Sequence, residues 1–268
     1  MPASDPFCRE AGTGPAVVCL HANASSSSQW RSLIDTLSPS HRLLAPDSHG
    51  AGKGPPWPTD RLLTLGDEVA LMEPIFERAG TPFSLVGHSY GGAIALLAAV
   101  KRPQRVCALV LYEPTLFALV DSAVAPPNDA DGIRETVERA QAALGADDVG
   151  TAAEQFIDFW MGAGAWCATP ESRRSAIEAA IVNVQGWGDA LFGEPTPLDA
   201  FGELTVPTLL MVGRDSPASA RAVAALLMRT MPHIEFLEFD GVGHMGPVTH
   251  PELVNAAIAD FLQRRAVI

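Results

Sequence analysis

The sequence predicts an α/β protein: a mostly parallel sheet with helices on both faces, interrupted by an all-helical insertion. Three observations predict it. Short apolar runs alternate with helix-periodic stretches through the first 113 residues and again after Pro207. The runs are apolar at consecutive positions, as in strands covered on both faces. Between about Pro114 and Val206 the strand signals vanish while helical spacing continues.

Ala16 to Leu20 and Arg42 to Ala45 read as buried strands on either side of a helix near Ser27 to Leu37. A helix near Leu62 to Ala79 leads to a strand at Phe83 to Val86, an Ala-rich helix at Gly92 to Val100 and a strand at Val106 to Tyr112. Repeated strand, helix, strand units imply parallel strands joined by crossover helices. The same grammar resumes with strand Thr208 to Val212, helix Ala218 to Met231, strand Ile234 to Phe239 and a closing helix from Pro251 to Arg264. In the insertion, Ile133 to Leu144 forms one helix and Ala152, Phe156, Phe159 and Trp160 make an apolar stripe in a second. Ile177, Ile181 and Val184 make a third, with Thr169 as N-cap and Pro170 at its first position. The division is thus a core domain of residues 1–113 and 207–268 and a lid of residues 114–206. The lid holds three of the five tryptophans, Trp160, Trp166 and Trp187. A roof over a site supplies apolar surface, so Trp160, Trp187, Phe117 and Met245 are candidate pocket residues.

The chain has 268 residues, 47% hydrophobic and 18% charged, the mix of a globular enzyme. No apolar run approaches the roughly 18 residues of a membrane span, and Met1 to Pro6 has neither a basic start nor an apolar stretch. The expectation is a soluble cytoplasmic protein with no membrane partner. A net charge of −13 without a Lys/Arg cluster opposes nucleic-acid binding. Cys8, Cys19, Cys107 and Cys167 are far apart and form no C-x-x-C pair. They read as reduced, buried cysteines rather than a disulfide frame or zinc site.

Gly87-His88-Ser89-Tyr90-Gly91 joins a buried strand to a helix. In that setting a serine sits on a tight turn with its hydroxyl projecting, and side-chain-free neighbours two positions away relieve the crowding. A serine nucleophile needs a base, an acid to orient the base, and donors for the developing oxyanion. The base is assigned to His244, in the flexible loop Gly241-Val242-Gly243-His244-Met245-Gly246 after the last strand, ahead of His250 and His233. For the acid, Asp215 lies just past a buried strand; Glu113, ending the strand before it, is the alternative. Oxyanion donors are backbone amides, here Tyr90 after the nucleophile and Asn23 in the His21-Ala22-Asn23-Ala24 loop, with Ala22 in reserve. His21 and His88 read as braces.

With these residues in place the chain resembles the α/β-hydrolase fold family along nearly its whole length. The resemblance runs through the His21 loop, Pro46-Asp47 to Gly54, the elbow at Ser89, Gly213-x-x-Asp215 and Gly243-His244. It implies about eight mostly parallel strands, a helical cap where the insertion falls, and Ser89 as nucleophile, Asp215 as acid and His244 as base. His21-Ala22 departs from the His-Gly usual before the oxyanion residue. The expected activity is a carboxylesterase-like serine hydrolase acting on a small apolar ester through an acyl-enzyme, with no metal or organic cofactor. The alternatives are a carbon–carbon bond or lactone hydrolase using the same triad, or a small-molecule-binding protein without turnover. On this assignment Glu113→Gln does little.

Overall fold

The computed structural model describes residues 6–231 and 233–265. Most of the N-terminal stretch read above for an export signal, residues 1–5, lies outside them. Seven strands form one sheet: β1 (Cys8–Ala11), β2 (Ala16–Leu20), β3 (Arg42–Pro46), β4 (Phe83–His88), β5 (Val106–Tyr112), β6 (Thr208–Gly213) and β7 (Ile234–Phe239). Their order is β1-β3-β2-β4-β5-β6-β7, and every pairing is parallel except β1 with β3.

The sheet has seven strands among the described residues where eight were expected. One short strand, β1, precedes β2 and pairs antiparallel with β3 at the sheet edge. β2 to β6 are buried along nearly their whole length, with Val17, Val18, Leu43, Leu44, Leu109 and Leu210 inaccessible. Helices on both faces account for that, and they produce two apolar cores, one on each side of the sheet.

Between β5 and β6 lie seven helices and no strand: Ala118–Ala123, Asp131–Gly145, Val149–Met161, Ala165–Ala168, Glu171–Ile181, Val184–Phe192 and Leu198–Gly202. The third helix predicted for the insertion needs correction. Glu171–Ile181 starts from Pro170 as N-cap, Thr169 closes the preceding short helix, and Val184 begins the next one. Cys107 and Cys167 are exposed rather than buried; Cys19 is buried and Cys8 half-buried, and all four are free. Cys107 falls where the β4–β5 register skips a residue, which turns it away from the core. No helix among the described residues is long and apolar enough to cross a membrane.

The strand order turns over at β2: β3 lies on one side of it and β4, the next strand in sequence, on the other. In an open parallel sheet the loops at such a point diverge and leave a crevice beyond the carboxyl ends of the strands. The loops that leave β2 and β4 carry Asn23 and Ser89.

Candidate active site

Ser89 sits between β4 and the helix Tyr90–Lys101 with φ 54° and ψ −118°, a strained conformation for a residue with a Cβ. Two glycines make it possible. A Cβ on Gly91 would lie 2.3 Å from the Leu20 carbonyl oxygen, and one on Gly87 would lie 2.5 Å from that of Gly91. The turn is tied to the neighbouring strand end, because the Ser89 amide donates to the Tyr112 carbonyl at 3.0 Å. Ser89 Oγ is 2.9 Å from His244 Nε2.

The His244 loop is held from the sheet at two points. Tyr112 Oη donates to the Gly243 carbonyl at 2.8 Å, and His88 Nε2 donates to the His244 carbonyl at 2.9 Å. The ring of Trp160 stacks on the imidazole, with centroids 3.9 Å apart and planes 28° from parallel. An indole face in that position shields the ring from water.

The structure puts Glu113, and not Asp215, on the histidine. His244 Nδ1 donates to Glu113 Oε2 at 2.6 Å, while Glu113 Oε1 accepts from the Gly213 amide at 2.6 Å and from Ser216 Oγ at 2.5 Å. Glu113 is fully buried, and its carboxylate is satisfied by three donors. Register explains the correction. His88 pairs with Tyr112 across β4 and β5, so Ser89 and Glu113 leave adjacent strands at the same level. Asp215 lies two residues past the end of β6, exposed in a turn whose amide bonds to the Val242 carbonyl.

On the other side of Ser89, Asn23 lies in the turn after β2 and lines the same cavity as the serine. The Ala22 amide donates to Gln29 Oε1 at 3.1 Å and is therefore spoken for. His21 Nε2 accepts from the Ser48 amide at 3.1 Å, so its Nδ1 carries the proton given to the Ala22 carbonyl at 2.8 Å. Tyr90 is the first residue of its helix, and its hydroxyl donates at 3.3 Å to the buried carboxylate of Glu68, which also receives His49 Nδ1 at 3.0 Å.

The cavity over Ser89 has about 330 Å³ of free space, part of it open to solvent. Phe117, Trp160 and Trp187 line it, together with Phe156, Ile133 and Leu191. Met245 does not; it is half-buried and its carbonyl caps the turn at Val248 and Thr249. His250 and His233 are exposed, and His250 Nδ1 is bonded to Thr249 Oγ1. No group of His, Cys, Asp or Glu among the described residues could hold a metal ion.

Burial holds His21, His88 and His41 below the ordinary imidazole range, most strongly His88, where neighbouring His244 adds to the effect. The unfolded chain takes up protons below about pH 6.5 that these native rings refuse. Stability is therefore fully present above that pH and declines as pH falls, by up to about 1.4 kcal/mol per pH unit for each of the two fully buried rings, His21 and His88, and by less for His41. Urea midpoints near pH 7.5 and pH 5.5 check this, and equal midpoints would contradict it.

An open parallel sheet with a serine on a strained turn at its crossover and a buried histidine beside it defines an α/β hydrolase. The model of the alpha/beta hydrolase family matches residues 17–257, and the chain belongs to that family. It is 32% identical to "Lipase LipV" of Mycobacterium tuberculosis, over 94% of this chain and 95% of that one. It is 29% identical to the "2-hydroxy-6-oxo-6-(2'-aminophenyl)hexa-2,4-dienoic acid hydrolase" of Metapseudomonas resinovorans, over 97% and 88%. A solved structure of a thermophilic esterase from Thermogutta terrifontis superposes with a TM-score of 0.73 at 23% identity, over 97% of this chain and 93% of that one.

Proposed function

We propose that the chain is a serine hydrolase that cleaves a carboxylic ester of a small, uncharged, largely apolar substrate. The observation that carries this reading is the unbroken line from Glu113 Oε2 to His244 Nδ1 and from His244 Nε2 to Ser89 Oγ, at 2.6 and 2.9 Å, beneath the apolar cavity. His244 takes the hydroxyl proton as Ser89 Oγ attacks the carbonyl carbon, and Glu113 fixes the tautomer and balances the charge on the ring. The amides of Tyr90 and Asn23 receive the oxyanion; the use of the Ala22 amide by Gln29 favours Asn23 for the second place. The imidazolium then protonates the leaving alcohol, and water cleaves the acyl-enzyme with His244 again as base.

The similarity to the dienoic acid hydrolase favours carbon–carbon hydrolysis as the second reading. The cavity wall speaks for the ester. Burying a carboxylate substrate without a cation is costly, and the lining contains no Lys or Arg, while His244 beside it is engaged by Glu113 and Ser89. The first test is a fluorophosphonate probe. The expected result is labelling at Ser89 in the wild type and none in Ser89→Ala; an unlabelled wild type would mean a binding protein.

A further inference from the structure

The cavity wall holds one polar group with nothing to bond. Apart from Asn23, Ser89 and Thr115, the lining side chains are aliphatic or aromatic, with a glycine at 188. Asn23 is half-buried, whereas Thr115 is 1% exposed and its Oγ1 makes no hydrogen bond. Its backbone is fixed in place. The Thr115 amide donates to the Ser89 carbonyl at 3.3 Å, its carbonyl accepts from the Phe117 amide at 3.0 Å, and Pro114 before it packs against Gly92. Buried hydroxyls are nearly always bonded, and valine would give the same wall without an unmet donor.

We propose that Thr115 is a specificity-determining residue, whose hydroxyl hydrogen bonds an ether or keto oxygen carried by the substrate close to the scissile carbonyl. The site then prefers neutral, oxygen-bearing chains to plain hydrocarbon ones. The proximity follows from the bond between the Thr115 amide and the Ser89 carbonyl and from the two residues lining one cavity. An alkyl chain laid against Thr115 leaves the hydroxyl unbonded, whereas an oxygen at that point supplies the missing bond. This deepens the ester-hydrolase reading and rests on it for the carbonyl.

The experiment compares p-nitrophenyl hexanoate with its 3-oxa and 4-oxa analogues, and hexyl with oxahexyl acetates, in wild type, Thr115→Val and Thr115→Ser. The ratio of kcat/KM for oxa over alkyl substrates removes intrinsic ester reactivity, because each pair is read in every protein. Thr115→Val is expected to lower the best ratio by about tenfold and Thr115→Ser to retain it. Binding of hexanamide and its oxa analogues to Ser89→Ala and to Ser89→Ala/Thr115→Val, read by tryptophan fluorescence, gives the same comparison without turnover. Ratios unmoved by Thr115→Val in both assays would overturn the proposal while leaving Ser89-dependent hydrolysis intact. A binding ratio shifted by Thr115→Val, beside a wild type that hydrolyses no ester, would instead overturn the hydrolase reading and keep the oxygen preference.

Discussion

Ser89→Ala and His244→Ala are each expected to lower kcat by about 10⁶, and the double replacement to lower it little further. The reason is that the two side chains act as one unit. The hydroxyl is a poor nucleophile until the imidazole 2.9 Å away takes its proton, and the imidazole has no other proton to move in acylation. The remaining activity, about 10³ to 10⁴ over water, comes from binding and the oxyanion amides, which neither change removes. Initial rates for the two single variants and the double on one p-nitrophenyl ester, with a thermal melt of each, test this. His244→Ala retaining more than about 1% of kcat would mean that another group serves as base.

Much of this site is legible in the sequence because local geometry fixes it. Ser89 needs glycine at 87 and 91 for reasons that act within a few ångströms, so five residues betray the turn. His244 lies in a glycine-flanked loop after the last strand, and only a few loops at the strand ends face Ser89. The acid is harder, since Glu113 and Asp215 both follow buried strands and the choice depends on how far each chain runs before it turns. Two signals favour Glu113 in retrospect: it follows Tyr112 without a spacer, and Pro114 stops the strand at once. Asp215 comes two residues late, beside Arg214, whose guanidinium pairs with Glu238 and Asp240 at the surface.

The fold shows the same division between local and distant causes. The buried strands announce themselves by composition, but β1 is four half-polar residues whose only reason to be a strand is the edge of β3. The stretch read as one helix from Leu62 to Ala79 is two, Leu65–Leu71 and Glu73–Ala79, because Pro74 cannot donate to the turn before it and instead opens the second helix. Thr115 looks like any threonine in a loop after a strand; that it lines a cavity depends on helices up to 77 residues further along the chain.

Glu113→Gln is expected to lower kcat by about 10⁴, and Asp215→Asn to change it less than about threefold, the reverse of what the Gly213-x-x-Asp215 pattern implies. The argument lies in which atoms of residue 113 face donors. The Oε1 position meets the Gly213 amide and the Ser216 hydroxyl, so an amide there must present its oxygen to them and its NH₂ to His244. Nδ1 is then driven to accept rather than donate, which leaves the ring proton on Nε2, pointing at Ser89 Oγ. That tautomer cannot remove the serine proton, although every heavy atom keeps its place. Asp215→Asn alters only an exposed carboxylate whose backbone already makes the turn's bond to Val242. Steady-state rates of the two variants decide between the two carboxylates. A large loss in Asp215→Asn with a near-normal Glu113→Gln would require the His244 loop to swing toward β6, breaking its bonds to Tyr112 and His88.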